Sequence, residues 1–446
     1  MNPRLAIVGG GPAGMMAAIR AAEALGGQAV VLFDKNDRLG RKIYLTGKGR
    51  CNLTNRRTWE EFAPHIHPNQ GFLKNAFRAF SNEDLIRFFE TELSVPTVTL
   101  QGQRVYPASL VAGDVARALE RRVRESGVDI RYRSSVDSLA DLRDFDAVII
   151  ATGGKSYPVT GSTGDGYRLA EEAGHTITAT FPSETALLPK DYDPGLPGLE
   201  MKNVGLTLCI DRQEVMHEQG DFNFTDDGLE SGIAYHLSRR AVWALCNGQR
   251  VDILLDLKPA LTEEQLRNRL LRNSQQTDVR RPGGAEGSSN LSLSEGLKGS
   301  DARWKRPFAG NSSEKYLERQ SLLPKALIGP FLRANPDLTI DNLPERLKRW
   351  PLRIGGYKGY ERAVVTAGGV SLKEIVPKTM ASRLRPGLYF CGEVLDLDGD
   401  TGGYNLQIAF STGSLAGQSA ANFLLRSARE PGGATGSSNR SQSDGL

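Results

Sequence analysis

The residues best placed to do chemistry stand at the start of the chain. Gly9, Gly11 and Gly14 have the spacing G-x-G-x-x-G, with Pro12 and Ala13 inside it, and Asp34 follows ~20 residues after the last glycine. Gly9 permits a tight turn. Gly11 leaves room for a pyrophosphate to reach backbone N–H groups at a helix N-terminus, and Gly14 allows close packing of helix on strand. Asp34 would accept hydrogen bonds from a ribose. This is dinucleotide-binding chemistry, and the motif alone fits FAD and NAD equally. A late block separates them. Residues 388–393 read as a strand ending in Gly-acidic, followed by Thr401-Gly402-Gly403-Tyr404-Asn405 and a helix over 406–421. The positive end of such a helix can face the N1 and C2 carbonyl region of an isoalloxazine, where reduction deposits negative charge, so the block suits a flavin.

These residues need elements to hold them. Residues 4–8 read as a buried strand, 12–25 as a helix and 28–33 as a second strand, which together form a βαβ unit. Helices are expected around 72–93 and 111–126, with strands at 128–133 and 147–151, and this alternation argues for a parallel sheet. Between 185 and 256 the texture changes to short alternating runs such as 204–210 and 251–255, and 262–273 turns helical. The expected fold class is α/β: a two-part Rossmann-like FAD-binding domain with an inserted β-rich domain and a small helical subdomain. The boundaries are 1–182 for the first FAD-binding part, 183–262 for the β-rich insertion and 263–336 for the helical insertion. The insertion returns over 337–365, the second FAD-binding part spans 366–427, and 428–446 is a disordered tail. Residues 281–313 are rich in Gly, Ser and Asn and are expected to be flexible, because they bury too little apolar surface to offset the entropy of ordering. Within them, 282–297 is nearly repeated at 431–446, a low-complexity duplication from which no chemistry is expected.

Further blocks complete a pattern. Gly40-Arg41-Lys42, the run Thr46-Gly47-Lys48-Gly49-Arg50-Cys51-Asn52-Leu53-Thr54-Asn55, Ala151-Thr152-Gly153-Gly154, and residues 161–167 and 366–370 belong to it, as do Gly392-Glu393 and Gly402-Gly403-Tyr404-Asn405. Together they closely resemble the HI0933-like family of bacterial flavoproteins over nearly the whole chain. The match departs at 224–232, which reads Phe-Thr-Asp-Asp-Gly-Leu-Glu-Ser-Gly against the family's Phe-Thr-His-x-Gly-Leu-Ser-Gly-Pro. The resemblance implies FAD, a nicotinamide electron donor (NAD(P)H), and reduction of an activated carbon–carbon double bond. Members are associated with uridine in large-subunit ribosomal RNA, reduced to dihydrouridine, and with unsaturated steroid-like bile acids. The resemblance also implies cofactor contacts from Gly9, Gly11, Pro12, Ala13, Gly14, Asp34, Lys35, Arg41, Lys42, Thr152 and Gly153, and from Gly392, Glu393, Gly402, Gly403, Tyr404 and Asn405. Hydride addition to an enone-like system leaves an α carbon that needs a proton. Cys51 is the candidate acid, since a thiol can donate at neutral pH; the alternative is a small residue packing beside the cofactor. Lys48 and Arg50 would pair with phosphate or substrate, or simply be solvated.

Composition narrows the classes. Hydrophobic residues at 39% and charged residues at 24% are slightly polar for a globular enzyme, and a net charge of +4 is compatible with an anionic partner without requiring one. Cys51, Cys209, Cys246 and Cys391 form no CxxC pair, which argues against structural zinc or a disulfide framework and for a reducing, cytoplasmic setting. Cys209 and Cys246 are expected to be buried. The five histidines, His65, His67, His175, His217 and His236, show no metal spacing or triad order, so no metal is expected. No apolar run approaches the ~20 residues that span a bilayer, and no membrane partner is expected. One segment could touch RNA. Arg346, Lys348, Arg349, Arg353 and Lys358 interleave with Trp350 and Tyr357, a pattern that also fits an amphipathic helix with a solvated face. An FAD-bearing redox regulator and a plain NAD dehydrogenase compete with the reductase reading.

Overall fold

A computed structural model describes residues 4–278 and 311–429, so both copies of the duplicated stretch, and most of 281–313, lie outside the described residues. The chain forms two compact units, Met1–Phe181 with Val364–Leu446, and Pro182–Ala363.

The first unit is built on a parallel sheet. Its strands are β1 (Leu5–Val8), β2 (Val30–Phe33), β3 (Asp129–Arg131), β4 (Ala147–Ile150) and the late strand Leu388–Phe390. The spatial order is Leu388–Phe390, β4, β1, β2, β3. Every residue of β1 and β2 is buried, as expected for continuous apolar runs covered on both faces. Val8 lies level with Phe33 on one side and Ile150 on the other. The segments leaving these strands, at Gly9, Asp34 and Ala151, therefore arrive side by side. Helix α1 (Pro12–Leu25) follows the first of them. The long helix Tyr404–Arg429 packs on α1 through small residues four apart. A Cβ on Gly413 would lie 2.3 Å from the Ala13 carbonyl oxygen, and one on Gly417 would lie 2.3 Å from that of Ala17. Two backbones in contact leave no room for larger residues.

Short antiparallel pairs set the rest of this unit. Thr54–Asn55 pairs with Arg104–Pro107, and Ile66–His67 pairs with Asp398–Gly399. The helical stretch expected around 72–93 is interrupted, giving Gln70–Ala79 and then Asn82–Arg87. Ser81 explains the break: its hydroxyl accepts from the Asp84 N–H while the Asp84 carboxylate accepts from the Ser81 N–H, a capping box that starts a new helix.

The second unit contains a closed six-stranded barrel: β5 (Leu187–Pro189), β6 (Glu200–Ile210), β7 (Gln213–Thr225), β8 (Gly228–Glu230), β9 (Val251–Asp256) and β10 (Trp350–Tyr357). Its order is β5-β8-β7-β6-β9-β10, and the antiparallel pairing of β5 with β10 closes it. Helix α2 (Gly232–Cys246) packs against β7. The segment read as one amphipathic helix is instead a short helix, Leu343–Lys348, followed by β10. Trp350, Leu352 and Ile354 are buried while Pro351, Arg353 and Gly355 are exposed, so the operative period there is two. Cys209 is buried, but Cys246, at the end of α2, is exposed, contrary to the sequence expectation. Among the described residues, no helix is long and apolar enough to cross a membrane.

Candidate active site

The glycine loop joins β1 to α1 as its spacing requires. Gly9 has φ +105°, and a Cβ there would lie 2.6 Å from the Ala151 carbonyl oxygen. A Cβ on Gly14 would lie 1.9 Å from the Gly9 oxygen, so only glycine permits the helix to start this close to the strand. Gly11 differs. It caps α1 with no side-chain hydrogen bond, and a Cβ placed on it meets nothing within 4 Å. Open space lies in front of a helix N-terminus, the place where a pyrophosphate is bound by backbone N–H groups and the helix dipole. Asp34, buried at the end of β2, steadies this cradle. One carboxylate oxygen accepts from the Gly10 N–H at 2.8 Å, and the other accepts from the backbone and side chain of Asn36.

The loops after β4 and after Leu388–Phe390 reach the same point. A Cβ on Gly9 would lie 2.8 Å from the Thr152 Cα, and a Cβ on Gly392 would lie 2.8 Å from the Ala13 side chain. Thus Gly9, Gly11, Pro12, Ala13, Gly14, Asp34, Thr152 and Gly392 lie around one helix terminus, while Gly153, next in the chain with φ +74°, has Ser162 as its near neighbour. The basic residues expected beside them have protein partners. Lys35 reaches Thr163 and Asp165 at 2.5 Å, Arg41 donates to Asn36 at 2.9 Å, and Lys42 pairs with Glu393 at 2.8 Å. Glu393 also accepts from the Thr366 N–H at 2.7 Å within the second part of the fold, so the Lys42–Glu393 pair is what ties that part to the first.

A second group of expected residues lies where the 46–55 run meets the 399–405 loop. Asn55 donates to the Gly402 carbonyl at 3.1 Å, the Asn52 amide oxygen accepts from the Gly403 N–H at 3.0 Å, and the Asn405 side chain exchanges hydrogen bonds with both backbone groups of Gly399. A Cβ on Gly403 would lie 2.6 Å from Thr54 backbone atoms. Cys51 is held inside this run with φ +58° and a fully buried side chain. Burial pushes its thiol up to about 12, against a hydrogen bond from Thr46 that acts the other way. A proton held that tightly, on an atom closed to solvent, favours the packing role over the acid role.

The sequence reading missed residues around Asp400. One Asp400 oxygen accepts from His65 Nδ1 at 2.8 Å and the other from His67 Nε2 at 2.9 Å. Arg57 Nη1 lies 2.6 Å from His65 Nε2, and the His65 ring stacks on Tyr404 with centroids 4.6 Å apart. Backbone pairing of Ile66–His67 with Asp398–Gly399 creates the cluster. The only trace in sequence was the spacing of His65 and His67, two residues apart, and an acidic residue just before the Gly402-Gly403 block.

Another chain of groups resembles a serine triad and is not one. His175 lies 2.7 Å from Ser382 Oγ and 3.1 Å from Glu374. Ser382 Oγ already accepts from the Leu384 and Arg385 N–H groups, and the His175 side chain is fully buried, so the serine is committed to a turn.

In the barrel unit, the stripe considered for RNA is internally paired. Arg346 meets Asp337 at 2.8 Å, Lys348 meets Asp256 at 2.5 Å and Arg349 meets Glu214 at 2.5 Å. Arg353 lies 3.9 Å from Asp252, and Lys358 lies 2.9 Å from Asp227. Trp350 is 2% exposed and cannot stack on a base.

Comparison with known proteins settles the family. Residues 3–419 match the family described as HI0933-like protein Rossmann domain. The chain belongs to the HI0933-like family. It is 30% identical to a 3-dehydro-bile acid delta(4,6)-reductase of Clostridium scindens, over 94% of this chain and 99% of that protein. It is 29% identical to the ribosomal RNA dihydrouridine synthase of Escherichia coli, over 91% of this chain and 95% of that protein. The Haemophilus influenzae protein of the same name is 27% identical over 91% of this chain and 95% of its own length. Among solved structures, the 3-ketosteroid-delta4-(5alpha)-dehydrogenase of Rhodococcus jostii RHA1 aligns with a TM-score of 0.48 at 14% identity, covering 94% of this chain and all of that one. As a member of the HI0933-like family, the chain is an FAD-dependent oxidoreductase. The open ground at Gly11, the uncapped α1 terminus and the Asp34 carboxylate fit the pyrophosphate and ribose of FAD.

Proposed function

We propose that this protein uses NAD(P)H to reduce a carbon–carbon double bond conjugated to a carbonyl, with uridine in large-subunit ribosomal RNA as the leading substrate. The observation that carries the reading is the convergence of two glycine-framed loops, through the Asn52–Gly403 and Asn55–Gly402 hydrogen bonds, in a fold that also holds the FAD cradle. The relatives' names agree with it: a delta(4,6)-reductase and dihydrouridine synthases both saturate a double bond next to a carbonyl. When bound and reduced by the nicotinamide, FAD would supply the hydride. The chain's own residues bind and orient. Backbone N–H groups at the start of α1 take the pyrophosphate, Asp34 takes the ribose, and Lys42 with Glu393 fixes the 40–42 segment against the second half of the fold. In the overall reaction the carbon β to the carbonyl gains the hydride, the α carbon gains a proton, and NAD(P)H becomes NAD(P)⁺.

A small enone, such as a steroid with a conjugated ketone, is the second reading. Internal pairing of the barrel stripe supports it, because the basic groups considered for RNA are already engaged with carboxylates. The deciding experiment incubates the purified protein and NADPH with ribosomal RNA from a deletion strain, and separately with a steroid 4-en-3-one. Nucleoside mass spectrometry should show dihydrouridine appearing in the RNA. Turnover of the steroid with unmodified RNA would replace the first reading by the second, and turnover of neither would end both.

A further inference from the structure

We propose that Arg57 holds the substrate's carbonyl oxygen, and that His65, Asp400 and His67 are positioning residues that aim it; the inference rests on the double-bond reduction proposed above. Hydrogen-bond roles carry the argument. Asp400 as a carboxylate only accepts, so His65 must present an N–H at Nδ1, 2.8 Å away. A guanidinium only donates, so His65 Nε2 must be the acceptor of the 2.6 Å bond from Arg57. Both bonds form together only when His65 is neutral with its proton on Nδ1. Asp400 thus selects a tautomer, and that tautomer turns the imidazole into an acceptor that fixes a cation.

The surroundings hold the same geometry. His67 donates to the second Asp400 oxygen at 2.9 Å, which stops the carboxylate from turning. The His65 ring lies against Tyr404 at an interplanar angle of 27°, and the Arg57 guanidinium carbon is 6.0 Å from the Tyr404 ring centroid. On the backbone side, the Arg57 N–H donates to Asn55 Oδ1 at 3.2 Å, and Asn82 donates to the Arg57 carbonyl at 2.8 Å. Asn55 is itself bonded to Gly402. The cation is therefore tied to both loops that frame the expected flavin site.

Chemistry supplies the role. Adding hydride to the β carbon breaks the carbon–carbon π bond, and the electron pair shifts toward the carbonyl, whose oxygen becomes negative until the α carbon takes a proton. A fixed guanidinium stabilises that oxygen more than it stabilises the neutral carbonyl, which lowers the barrier. The bond to His65 engages one N–H, and a guanidinium carries others suited to an oxyanion. Uridine and a 4-en-3-one both present such a carbonyl.

The test uses the full-length protein loaded with FAD, with para-chlorophenol as an oxyanion probe. A phenolate held beside oxidised flavin gives a long-wavelength charge-transfer band, which needs no turnover. The wild type should show the band. Arg57→Met should bind the phenolate at least ~10-fold more weakly and slow reoxidation by substrate ~10²–10³-fold, the loss seen when one oxyanion donor is removed. Its reduction by NADPH should stay within about twofold of wild type, because that step lacks the carbonyl. Asp400→Asn should weaken phenolate binding less, and Arg57→Lys should restore part of it. Should Arg57→Met fail to retain FAD, Arg57→Lys and Asp400→Asn carry the measurement. No band in the wild type, an unchanged band in Arg57→Met, or loss of FAD from all three variants would overturn the proposal, the last showing a structural latch. If the wild type reduces neither RNA nor enone, the double-bond reading fails, and the phenolate titration still decides whether Arg57 holds an oxyanion.

Discussion

Two regions of this chain carry the ingredients of ligand binding, and one of them also leaves a helix terminus open. In the first unit, Gly11 faces empty space at an uncapped helix terminus, and one carboxylate, Asp400, serves two imidazoles beside Arg57. In the barrel, each of the five basic residues of the stripe has a carboxylate partner, and Trp350 is packed inside. The residue types are alike. The lesson is that availability depends on what each group already touches, which no count of Arg, Lys and Trp reveals.

The sharpest way to break this comparison is at the glycine loop. Gly11→Val should fold normally, since its Cβ meets nothing, yet lose nearly all bound FAD by filling the ground where a pyrophosphate must approach. Gly14→Ala should instead destabilise the fold by more than ~3 kcal/mol, because its Cβ would sit 1.9 Å from a carbonyl oxygen. Flavin absorbance and thermal melting measure both, and a Gly11→Val protein with full FAD would show that the open region is not the site.

Cys51→Ser tests the second group of loops. With the thiol fully buried, its replacement should alter the stopped-flow rate of flavin reoxidation by substrate less than about threefold, and cost ~1–2 kcal/mol for the buried hydroxyl. A loss of ~10²-fold in that rate alone would assign the acid role to Cys51.

A smaller effect concerns acid stability. Burial holds His175 below its ordinary value of 6.5, so the unfolded chain takes that proton first; stability is full above this value and declines as pH falls through it. Glu374 adds to the trend lower down. Burial raises its carboxyl, but hydrogen bonds from Thr176 and His175 outweigh that and hold it below 4.5, so its contribution is lost as pH falls further. Melting temperature should therefore drop between pH 7 and 5, less steeply in His175→Gln, and parallel curves would remove His175 from the account.

The smallest expected effect sharpens the comparison from the barrel side. Exposed ion pairs contribute ~0–1 kcal/mol each, and a paired arginine gives little to a phosphate. The double variant Arg349→Ala with Arg353→Ala should leave RNA affinity within about twofold, and the slope of log affinity against log salt nearly unchanged. A slope reduced by ~1.4, about 0.7 for each phosphate of a single strand, would mean that both residues do neutralise phosphates.

Much of the first unit was legible because its signals are local. β1, α1 and β2 follow from apolar runs and glycines inside one strand-turn-helix, and Gly9 and Gly14 do what their spacing implied. The break at Ser81 was also written in sequence, as Ser-x-x-Asp, but the surrounding apolar periodicity masked it. Segment 346–358 was harder. A short helix passes into a strand there, and the interleaved basic residues obscured the alternation of Trp350, Leu352 and Ile354.

The sequence by itself determined the strand, glycine turn and helix that open the chain, with Gly9 and Gly14 where β1 and α1 come together, because steric demands of glycine act within a few bonds. Only the tertiary structure decided which charges remain available. His65 and Asp400 are 335 positions apart and meet because Ile66–His67 pairs with Asp398–Gly399. Arg349 and Glu214 are 135 positions apart and meet because β7, β6, β9 and β10 lie side by side in the barrel. Hydrogen bonds and ion pairs act over about 3 Å of space and carry no sequence period, so partners brought together by long-range pairing are settled only when the chain folds.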